Sequence, residues 1–221
     1  MPVLFSHLFL KQENMMIRVV VFVVSLLAFC SSSAFAQAVW KSDLSHSRVN
    51  FAVSHMVVAE VTGSFTEFEV TMRASNDDFS DAEIEATIKT ASVNTDNERR
   101  DGHLRSDDFF NAEAFPAITF KSTSIEKSGK NSFNITGDLT IRDITMPVVL
   151  ATSFKGTIRD ARGNTKAGFK ATTVVNRFEF GTKWNSALDS GGLIAGENVD
   201  VTLLMEMNKQ EPAEENSEGK K

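Results

Sequence analysis

Apolar and polar residues alternate along most of the chain between about positions 49 and 208. The clearest stretch, residues 82–89, reads AEIEATIK, with alanine or isoleucine at every second position and a polar residue between. Side chains of a β-strand point alternately to opposite faces of the sheet, so this period of two predicts a strand with one buried face. The same template fits seven further stretches, which are residues 49–55, 68–72, 117–126, 133–142, 147–158, 167–177 and 198–208.

Short polar links join several of these stretches. The segments KSGKN at residues 127–131 and RDARGN at residues 159–164 are short enough to be hairpin turns. About eight strands joined in this way predict an all-β fold, an antiparallel barrel or a sandwich, and argue against parallel βαβ units. Phe65 falls out of phase with Phe68 and the apolar positions after it, which predicts a bulge near Gly63.

One link is much longer than the others. Residues 95–98 read TDNE, the pattern of a capping box, in which the Thr95 hydroxyl accepts from the Glu98 amide and the Glu98 side chain reaches back. The sequence therefore predicts one helical crossover segment at about residues 95–115, with the helix itself at about residues 96–105. Apolar side chains of this segment are expected to close one end of a barrel, namely Leu104, Phe109, Phe110 and Phe115.

The two ends of the chain differ from the alternating region. Residues 19–29 are almost uniformly apolar and precede SSSAFAQA, in which Ala34 and Ala36 occupy the positions of an A-x-A cleavage site. The run is too short for a membrane-spanning helix, which needs about 20 apolar residues. Residues 1–36 are therefore predicted to be a signal peptide, residues 37–208 the folded domain, and the strongly polar residues 209–221 a disordered tail.

Composition narrows the possible partners. The 221 residues are 42% hydrophobic, which is enough for a real core. The formal net charge is −6, so nucleic acid and anionic membrane surfaces are poor partners. Cleavage after residue 36 would remove Cys30, the one cysteine, so the mature protein would have no disulfide and no thiol nucleophile.

A dense charged cluster, RRDGHLRSDD, occupies residues 99–108. Its bases Arg100, His103 and Arg105 could bind an anionic head group at the mouth of a barrel. However, Asp101 lies four residues before Arg105, which is ion-pair spacing on a helix, and the aspartates neutralise most of the positive charge. A structural role, in which Arg100, Asp101 and His103 fix the helix to the barrel, is therefore favoured over direct ligand contact.

Metal binding and catalysis have little support in the sequence. His46, His55 and His103 lack the short paired spacing of a helical metal motif, so no metal site is predicted. The chain has no G-x-S-x-G and no P-loop. Asp43, His46 and Ser47 are too close in sequence to converge readily as a triad, and a hydrogen-bonded turn is the simpler interpretation. The chain is predicted not to be an enzyme and to require no cofactor.

Several short motifs, taken together and in order, resemble the YceI-like family, whose members are also described as polyisoprenoid-binding or lipid-binding periplasmic proteins. The resemblance covers about residues 39–207 and implies a lipocalin-like, eight-stranded antiparallel barrel secreted to the periplasm. Its interior would hold an isoprenoid or similar amphiphilic chain. The motifs are DLSHS at residues 43–47, FAVSH at 51–55, GSF at 63–65, ASVNT at 91–95, RDGHLRSDDFF at 100–110, GDLTI at 137–141 and NRFEFG at 176–181.

The interior of an eight-stranded barrel is either just filled by side chains or just able to hold one small ligand. Small residues at inward positions, such as Ala86, Gly137 and Ala171, fit a tightly packed core as well as a tunnel. The residue pattern alone slightly favours a solid core, whereas the family resemblance implies a tunnel. The residues assigned to the interior, and to lipid binding if it is hollow, are Phe51, Val53, His55, Phe68, Ile84, Ala86, Ile88, Phe120, Phe133, Leu139, Leu150, Phe154, Phe169 and Ala171.

With the resemblance, the function expected is that of a periplasmic carrier of an isoprenoid lipid of the quinone or prenyl diphosphate type. Two alternatives remain open: an accessory protein or enzyme of isoprenoid or quinone metabolism, and a stress-response barrel with a solid core. The expected partner is the lipid alone, without nucleic acid and without stable membrane insertion. A homodimer is left open, and the loop at residues 184–193, which is longer than in some relatives, is assigned no role.

Overall fold

A computed structural model describes residues 37–187 and 193–211 of the chain. The leader predicted at residues 1–36 and residues 212–221 of the predicted tail lie outside them. The described part contains one α-helix, α1, at Glu98–Arg105, and a short 3₁₀ turn at Thr90–Ser92. The strands are β1 (Ala38–Ser42), β2 (Arg48–His55), β3 (Ala59–Phe65), β4 (Phe68–Ala74), β5 (Glu83–Lys89), β6 (Val93–Asn94), β7 (Ala117–Gly129), β8 (Ser132–Ile141), β9 (Ile144–Arg159), β10 (Thr165–Asn176) and β11 (Ala195–Lys209).

Three of the strand positions around the sheet are each occupied by two consecutive short strands, namely β1 with β2, β3 with β4, and β5 with β6. β1 and β2 both pair with β11, β4 pairs with β1, and β3 pairs with β2. In the same way β5 pairs with β4 while β6 pairs with β3. The segments therefore form eight antiparallel strand positions, and the pairing of β1 with β11 closes the sheet. The prediction of an all-β, eight-stranded antiparallel barrel with one helical crossover is confirmed.

The break between β3 and β4 explains the change of phase in the sequence. Thr66 and Glu67 interrupt the strand, and their amides donate to the Ser92 carbonyl and hydroxyl, both at 3.1 Å. In an unbroken strand, side chains three residues apart point to opposite faces. The interruption changes this relation, so Phe65 and Phe68 are both buried on the inner face. The bulge predicted near Gly63 is thus wrong in position, because Gly63 lies within regular pairing.

The start of α1 differs from the predicted capping box. Asp96 has φ +57°, in the left-handed region, which separates Thr95 from the helix. Asn97 is the N-cap instead, and its side chain accepts from the Arg100 amide at 3.0 Å. The helix consequently begins at Glu98, two residues later than expected. The capping role assigned to Thr95 is wrong, since its hydroxyl is used in another contact.

One end of the barrel is closed by packed aromatic rings. Phe79, in the link between β4 and β5, is buried there, and its ring lies 5.1–5.3 Å from those of Trp40, Phe154 and Phe169, always edge to face. Such geometry places the positive ring edge against a negative face, which adds to the gain from burial. We call this cluster the aromatic plug. It rests on Met72, Ala74, Ala82, Ala167 and Met207, which are all buried.

Candidate functional site

The barrel encloses an apolar cavity of about 410 Å³. All but two of the side chains assigned to the interior line it, and the two exceptions are Phe68 and Phe154. Phe68 is buried against Ile88 and its neighbours, while Phe154 belongs to the aromatic plug. The inward-facing pattern read from the sequence therefore surrounds a hollow space. The residues that line it are Phe51, Val53, His55, Ile84, Ala86, Ile88, Phe120, Phe133, Leu139, Leu150, Phe169 and Ala171.

Glycines in the barrel wall help to keep this space open. A Cβ at Gly137 would lie 2.4 Å from the Phe120 ring, and a Cβ at Gly63 would lie 2.4 Å from the Phe51 ring. These rings therefore lie directly over backbone of the wall, a close approach that only glycine permits. A larger residue at either glycine would push the ring toward the barrel axis. Because each ring lies over a glycine of the neighbouring strand, it lines the cavity without projecting far into it.

The cavity opens at the end opposite the aromatic plug. At the plug the lining side chains, such as Met72 and Met207, are almost fully buried. At the other end the lining includes His103 and Ser54, which are exposed to solvent. This end, which we call the mouth, is formed by the β2–β3 hairpin, α1 with the segment after it, and the segments on either side of residues 188–192.

Arg177 is a buried cation that lines the cavity near the mouth. It is 7% exposed and forms no ion pair with any carboxylate of the described residues. Burial lowers its pKa from the ordinary value for arginine, although nearby Glu197 opposes this effect. Its N–H groups donate to neutral oxygens, which are the carbonyls of Gly196 (2.8 Å), Trp184 (2.7 Å) and Ala195 (3.1 Å) and the hydroxyl of Thr182 (3.3 Å).

Sequence reasoning did not include Arg177 among the site residues. The strand pattern indicates an inward position for Arg177, because it has the same parity along the chain as Phe169 and Ala171, which point into the barrel. A charged residue at an inward position is unusual in an apolar interior and marks either a structural anchor or a polar contact for a ligand. Arg177 ends the strand pattern inside the NRFEFG motif, so the pattern and the motif point to the same residue.

The charged cluster is held together mainly by bonds to Thr95. The Asp101 carboxylate, in a residue only 4% exposed, accepts from the Thr95 amide at 2.9 Å and from its hydroxyl at 2.5 Å. Arg100 donates to the Thr95 hydroxyl and carbonyl, each at 2.7 Å. The predicted Asp101–Arg105 ion pair is wrong, because the carboxylate turns inward to Thr95. Arg105 instead donates to the Ala91 carbonyl at 3.1 Å and lies 3.4 Å from Glu98.

His103 has different contacts from the rest of the cluster. Its Nε2 lies 2.9 Å from Oδ2 of Asp108, and its ring packs edge to face on Phe109 and Trp184 at 5.0 and 5.9 Å. His103 and Arg100 line the cavity, whereas Asp101 and Arg105 do not. Arg100 and His103 therefore reach the mouth, whereas Asp101 and Arg105 stabilise the segment that contains α1.

A separate polar group lies on the outer wall near the closed end. His46 Nδ1 is 3.2 Å from Asp43 and 3.7 Å from Glu206, and the Lys166 ammonium lies 2.6 Å from Glu206 and 3.4 Å from Asp43. Burial alone would raise the pKa of Asp43, but hydrogen bonds from His46, the Ser45 amide and Lys166 outweigh it and lower that pKa to about 2. The predicted hydrogen-bonded turn of Asp43, His46 and Ser47 is present in part: the His46 amide donates to the Asp43 carbonyl at 3.2 Å, but Ser47 does not take part.

Two contacts describe how the outer polar group is arranged. The buried Ser47 hydroxyl bonds to the backbone of Glu206 and does not reach His46. Asp43, His46 and Glu206 are the one set among residues 37–187 and 193–211 with three metal-ligating side chains close together, and Lys166 already places a positive charge between the two acids. His55 and His103 are not members of this set.

Comparison with known families decides the relationship of the chain. Residues 40–207 match the model of the YceI-like domain. The chain belongs to the YceI-like domain family. A UPF0312 protein of Staphylococcus aureus (strain USA300) is 36% identical over 170 residues, which cover 76% of this chain and 96% of that protein. The family resemblance inferred from the ordered motifs is thus confirmed.

Solved structures of proteins similar to this chain have the same barrel. A YceI protein of Campylobacter jejuni superposes with a TM-score of 0.62 at 29% identity, covering 72% of this chain and 90% of that one. BcnA of Burkholderia cenocepacia has a TM-score of 0.65 at 21% identity, covering 75% and 98%. A polyisoprenoid-binding domain of Saccharophagus degradans has a TM-score of 0.59 at 13% identity, covering 77% and 98%. At 21% and 13%, the last two likenesses concern the fold alone.

Among residues 37–187 and 193–211, no helix is long and apolar enough to cross a membrane.

Proposed function

We propose that this YceI-like barrel binds the apolar chain of an isoprenoid or similar amphiphilic lipid inside its cavity and carries it in the periplasm. The observation that carries the proposal is the apolar cavity of about 410 Å³ that runs from the aromatic plug to the mouth. This volume falls within the usual range of small-molecule sites, about 300–1,000 Å³. A polyisoprenoid-binding domain with the same fold gives further support for the class of ligand.

The energetic cost of an empty cavity also favours a resident ligand. The apolar side chains that line an unfilled cavity have no partner atoms on one side and forgo van der Waals contacts, which is unfavourable. An apolar chain offsets this cost, because each methylene taken out of water contributes about 0.8 kcal/mol. The chain length that adds affinity is limited by the practical ceiling for non-covalent binding.

The polar groups at the mouth limit the contacts that a lipid head group can make. Arg177 has five N–H donors and uses four of them within the described residues, which leaves one for a ligand oxygen. Arg100 is engaged with Thr95, and His103 is engaged with Asp108, whose carboxylate would repel an anion. A single free donor fits one carbonyl or hydroxyl oxygen of a quinone, whereas the positive charge of Arg177, which no carboxylate of the described residues pairs with, fits a prenyl diphosphate. The proposal therefore includes both types of lipid.

The periplasmic location rests on the leader predicted at residues 1–36. If it is cleaved, N-terminal sequencing of the protein from a periplasmic extract will begin at Gln37 or within two residues of it. An intact leader recovered in the membrane fraction would contradict both the cleavage and the periplasmic role.

The binding role is tested by native mass spectrometry of the protein purified from its own periplasm without detergent. The expected result is one additional mass per protein, released by organic solvent and identified as a polyprenyl compound. A barrel that carries no extra mass, and takes up none from polyprenyl quinone added in detergent, would contradict lipid binding. A transformed lipid released in repeated turnover would instead support the alternative of an enzyme.

A further inference from the structure

The tip of the β2–β3 hairpin is unusually apolar for a solvent-facing turn. Met56, Val57 and Val58 are consecutive and are 42%, 72% and 88% exposed. Single exposed apolar residues are common on protein surfaces, whereas three in a row at a projecting turn are not explained by packing. We call these three residues the hairpin tip.

The backbone conformation of the hairpin tip is also unfavourable for methionine and valine. Met56 and Val57 have φ of +50° and +65°, and the Val58 amide donates to the His55 carbonyl at 3.3 Å. Positive φ at both central residues is the pattern of a type I′ turn, which favours Asn-Gly and disfavours a β-branched residue. Neither solvent nor backbone conformation accounts for a valine at position 57, so a further role for its side chain is indicated.

The hairpin tip stands at the rim of the cavity mouth. His55 and Val61, on the two strands of the hairpin, line the cavity. The Met56 amide donates to the carbonyl of Ile194 at 2.9 Å, and Ile194 lines the cavity from the opposite segment. The exposed apolar surface is therefore continuous with the apolar lining of the barrel.

We propose that the hairpin tip inserts reversibly into the boundary between head groups and acyl chains of a lipid bilayer and so holds the mouth against the membrane. The inference rests on the proposed lipid cargo, because a cargo with a long apolar chain must pass between bilayer and barrel with little exposure to water. The tip supplies a small apolar anchor at the opening through which the cargo passes. Binding of this kind is shallow and releases the protein again.

The size of the hairpin tip favours a bilayer over a second copy of the chain. Three partly exposed aliphatic side chains offer roughly 200–300 Å² of apolar surface. A stable protein interface needs about 800 Å² on each partner. A bilayer has no such requirement, since each inserted side chain is surrounded by lipid on all sides.

The charge of the protein predicts how this contact responds to lipid composition and salt. The net charge is −6, and Glu60 is exposed beside the tip, so anionic lipid does not attract the protein. Insertion is therefore driven by burial of the tip. Binding to phosphatidylcholine vesicles is expected to persist at about 0.5 M salt, where surface charge interactions are screened.

The test is flotation of the whole protein with phosphatidylcholine vesicles, comparing the parent with the double variant Val57→Asp/Val58→Asp. Loss of two inserted valines, with two charges in their place, is expected to lower the partition coefficient at least about tenfold. The matched control is Ile158→Asp, because Ile158 is similarly exposed, at 64%, but lies at the opposite end of the barrel. The control is expected to float like the parent.

A second variant separates the membrane contact from folding. Met56→Asn/Val57→Gly gives the turn its preferred residues, so it is expected to raise the melting temperature while vesicle binding falls at least about fivefold. Equal flotation of the parent and both tip variants would overturn the proposal. So would a parent that fails to float, or a concentration-dependent dimer that only the tip variants abolish.

The cargo is measured in the same samples, so that the two proposals fail separately. Variants loaded in detergent are expected to retain lipid in native mass spectra as the parent does, because the hairpin tip lies outside the cavity. Retained lipid with unchanged vesicle binding in the tip variants would reject the membrane contact alone. A parent that floats by its tip but takes up no lipid would reject the carrier and leave the contact standing.

Discussion

The two ends of the barrel differ in the side chains that form them. At the closed end, the aromatic plug packs Phe79 edge to face on three other rings over a floor of buried methionine and alanine. At the mouth, a buried arginine, an exposed histidine and a strained apolar turn surround the opening. The first end is filled by side chains and the second is not.

We expect the closed end to contribute most to the stability of the fold, and we expect the proposed ligand to enter and leave at the mouth. A strained turn costs of order 1–3 kcal/mol for a residue held in a sparsely populated conformation, and the mouth contains such a turn at Met56 and Val57. The plug supplies the compensating burial, because a fully buried aromatic ring is among the largest single contributions to a core. Substitutions at the plug should therefore reduce stability most, and those that fill the cavity should act mainly on the ligand.

The largest effect is expected from Phe79→Ala. Removal of a ring that is 4% exposed and contacts three aromatic partners should lower the free energy of unfolding by about 3–5 kcal/mol, measured in urea. Phe109→Ala, at the half-buried mouth, is the comparison and should cost about 1–2 kcal/mol. Equal losses would mean that the two ends do not differ in the way described.

Asp101→Ala should destabilise the mouth segment without emptying the cavity. The Thr95 amide and hydroxyl would lose a buried acceptor, which should cost about 1–3 kcal/mol. Asp101→Asn keeps one acceptor oxygen and should cost less. Thermal unfolding and lipid retention are measured together, and a loss of lipid with unchanged stability would make this residue part of the head-group site.

A smaller, pH-dependent effect is expected for Asp43, outside the closed end. Its pKa is lowered to about 2 in the fold from the 3.8 of an unperturbed aspartate, so the stabilisation is complete above about pH 4 and is lost as the pH falls toward 2. Asp43→Asn should be less stable than the parent by about 1–2 kcal/mol at pH 7. Urea unfolding at pH 7, 4 and 2 should bring the two proteins together at the lowest pH, and a constant difference would contradict this origin.

The smallest effect on stability is expected where the barrel is hollow. Ala86→Trp places an indole in the cavity and should change the free energy of unfolding by less than about 1 kcal/mol, whereas a filled core would lose about 1–3 kcal/mol or more. Thr87→Trp, on the outer face of the same strand, is the control. Marked loss in Ala86→Trp but not in Thr87→Trp would mean that this part of the interior is solid.

Local patterns predicted β2, β4, β5 and β7 to β11, because each of these carries its own period of two, whereas β1, β3 and β6 were not predicted. Residues 82–89 place Ile84, Ala86 and Ile88 toward the cavity as their alternation required. The closing strand β1 was not predicted, because its five residues are too short to establish a period. Its partners are also distant in sequence, as in the pairing of Trp40 with Lys209, and no local rule specifies such a contact.

The site was predictable where it depends on strand parity and was not where it depends on loops. Arg177 ends the predicted stretch 167–177 and has inward parity, so the strand pattern alone places it among the lining residues. Phe79 closes the barrel from a link in which it has φ +58°, a conformation that periodicity does not reveal. Whether the interior is hollow depended on rings lying over Gly63 and Gly137, a relation between neighbouring strands rather than within one.

The most direct test of the hollow, lipid-filled barrel is the number of lipid molecules retained per protein, measured by native mass spectrometry on the parent and three tryptophan variants. The account predicts one lipid in the parent and in Thr87→Trp, and none in Ala86→Trp and Ala171→Trp, with all four proteins folded. Equal lipid content in all four would contradict the cavity as the binding site. Absence of lipid from the parent, with marked destabilisation of Ala86→Trp and Ala171→Trp, would mean that the interior is an ordinary core.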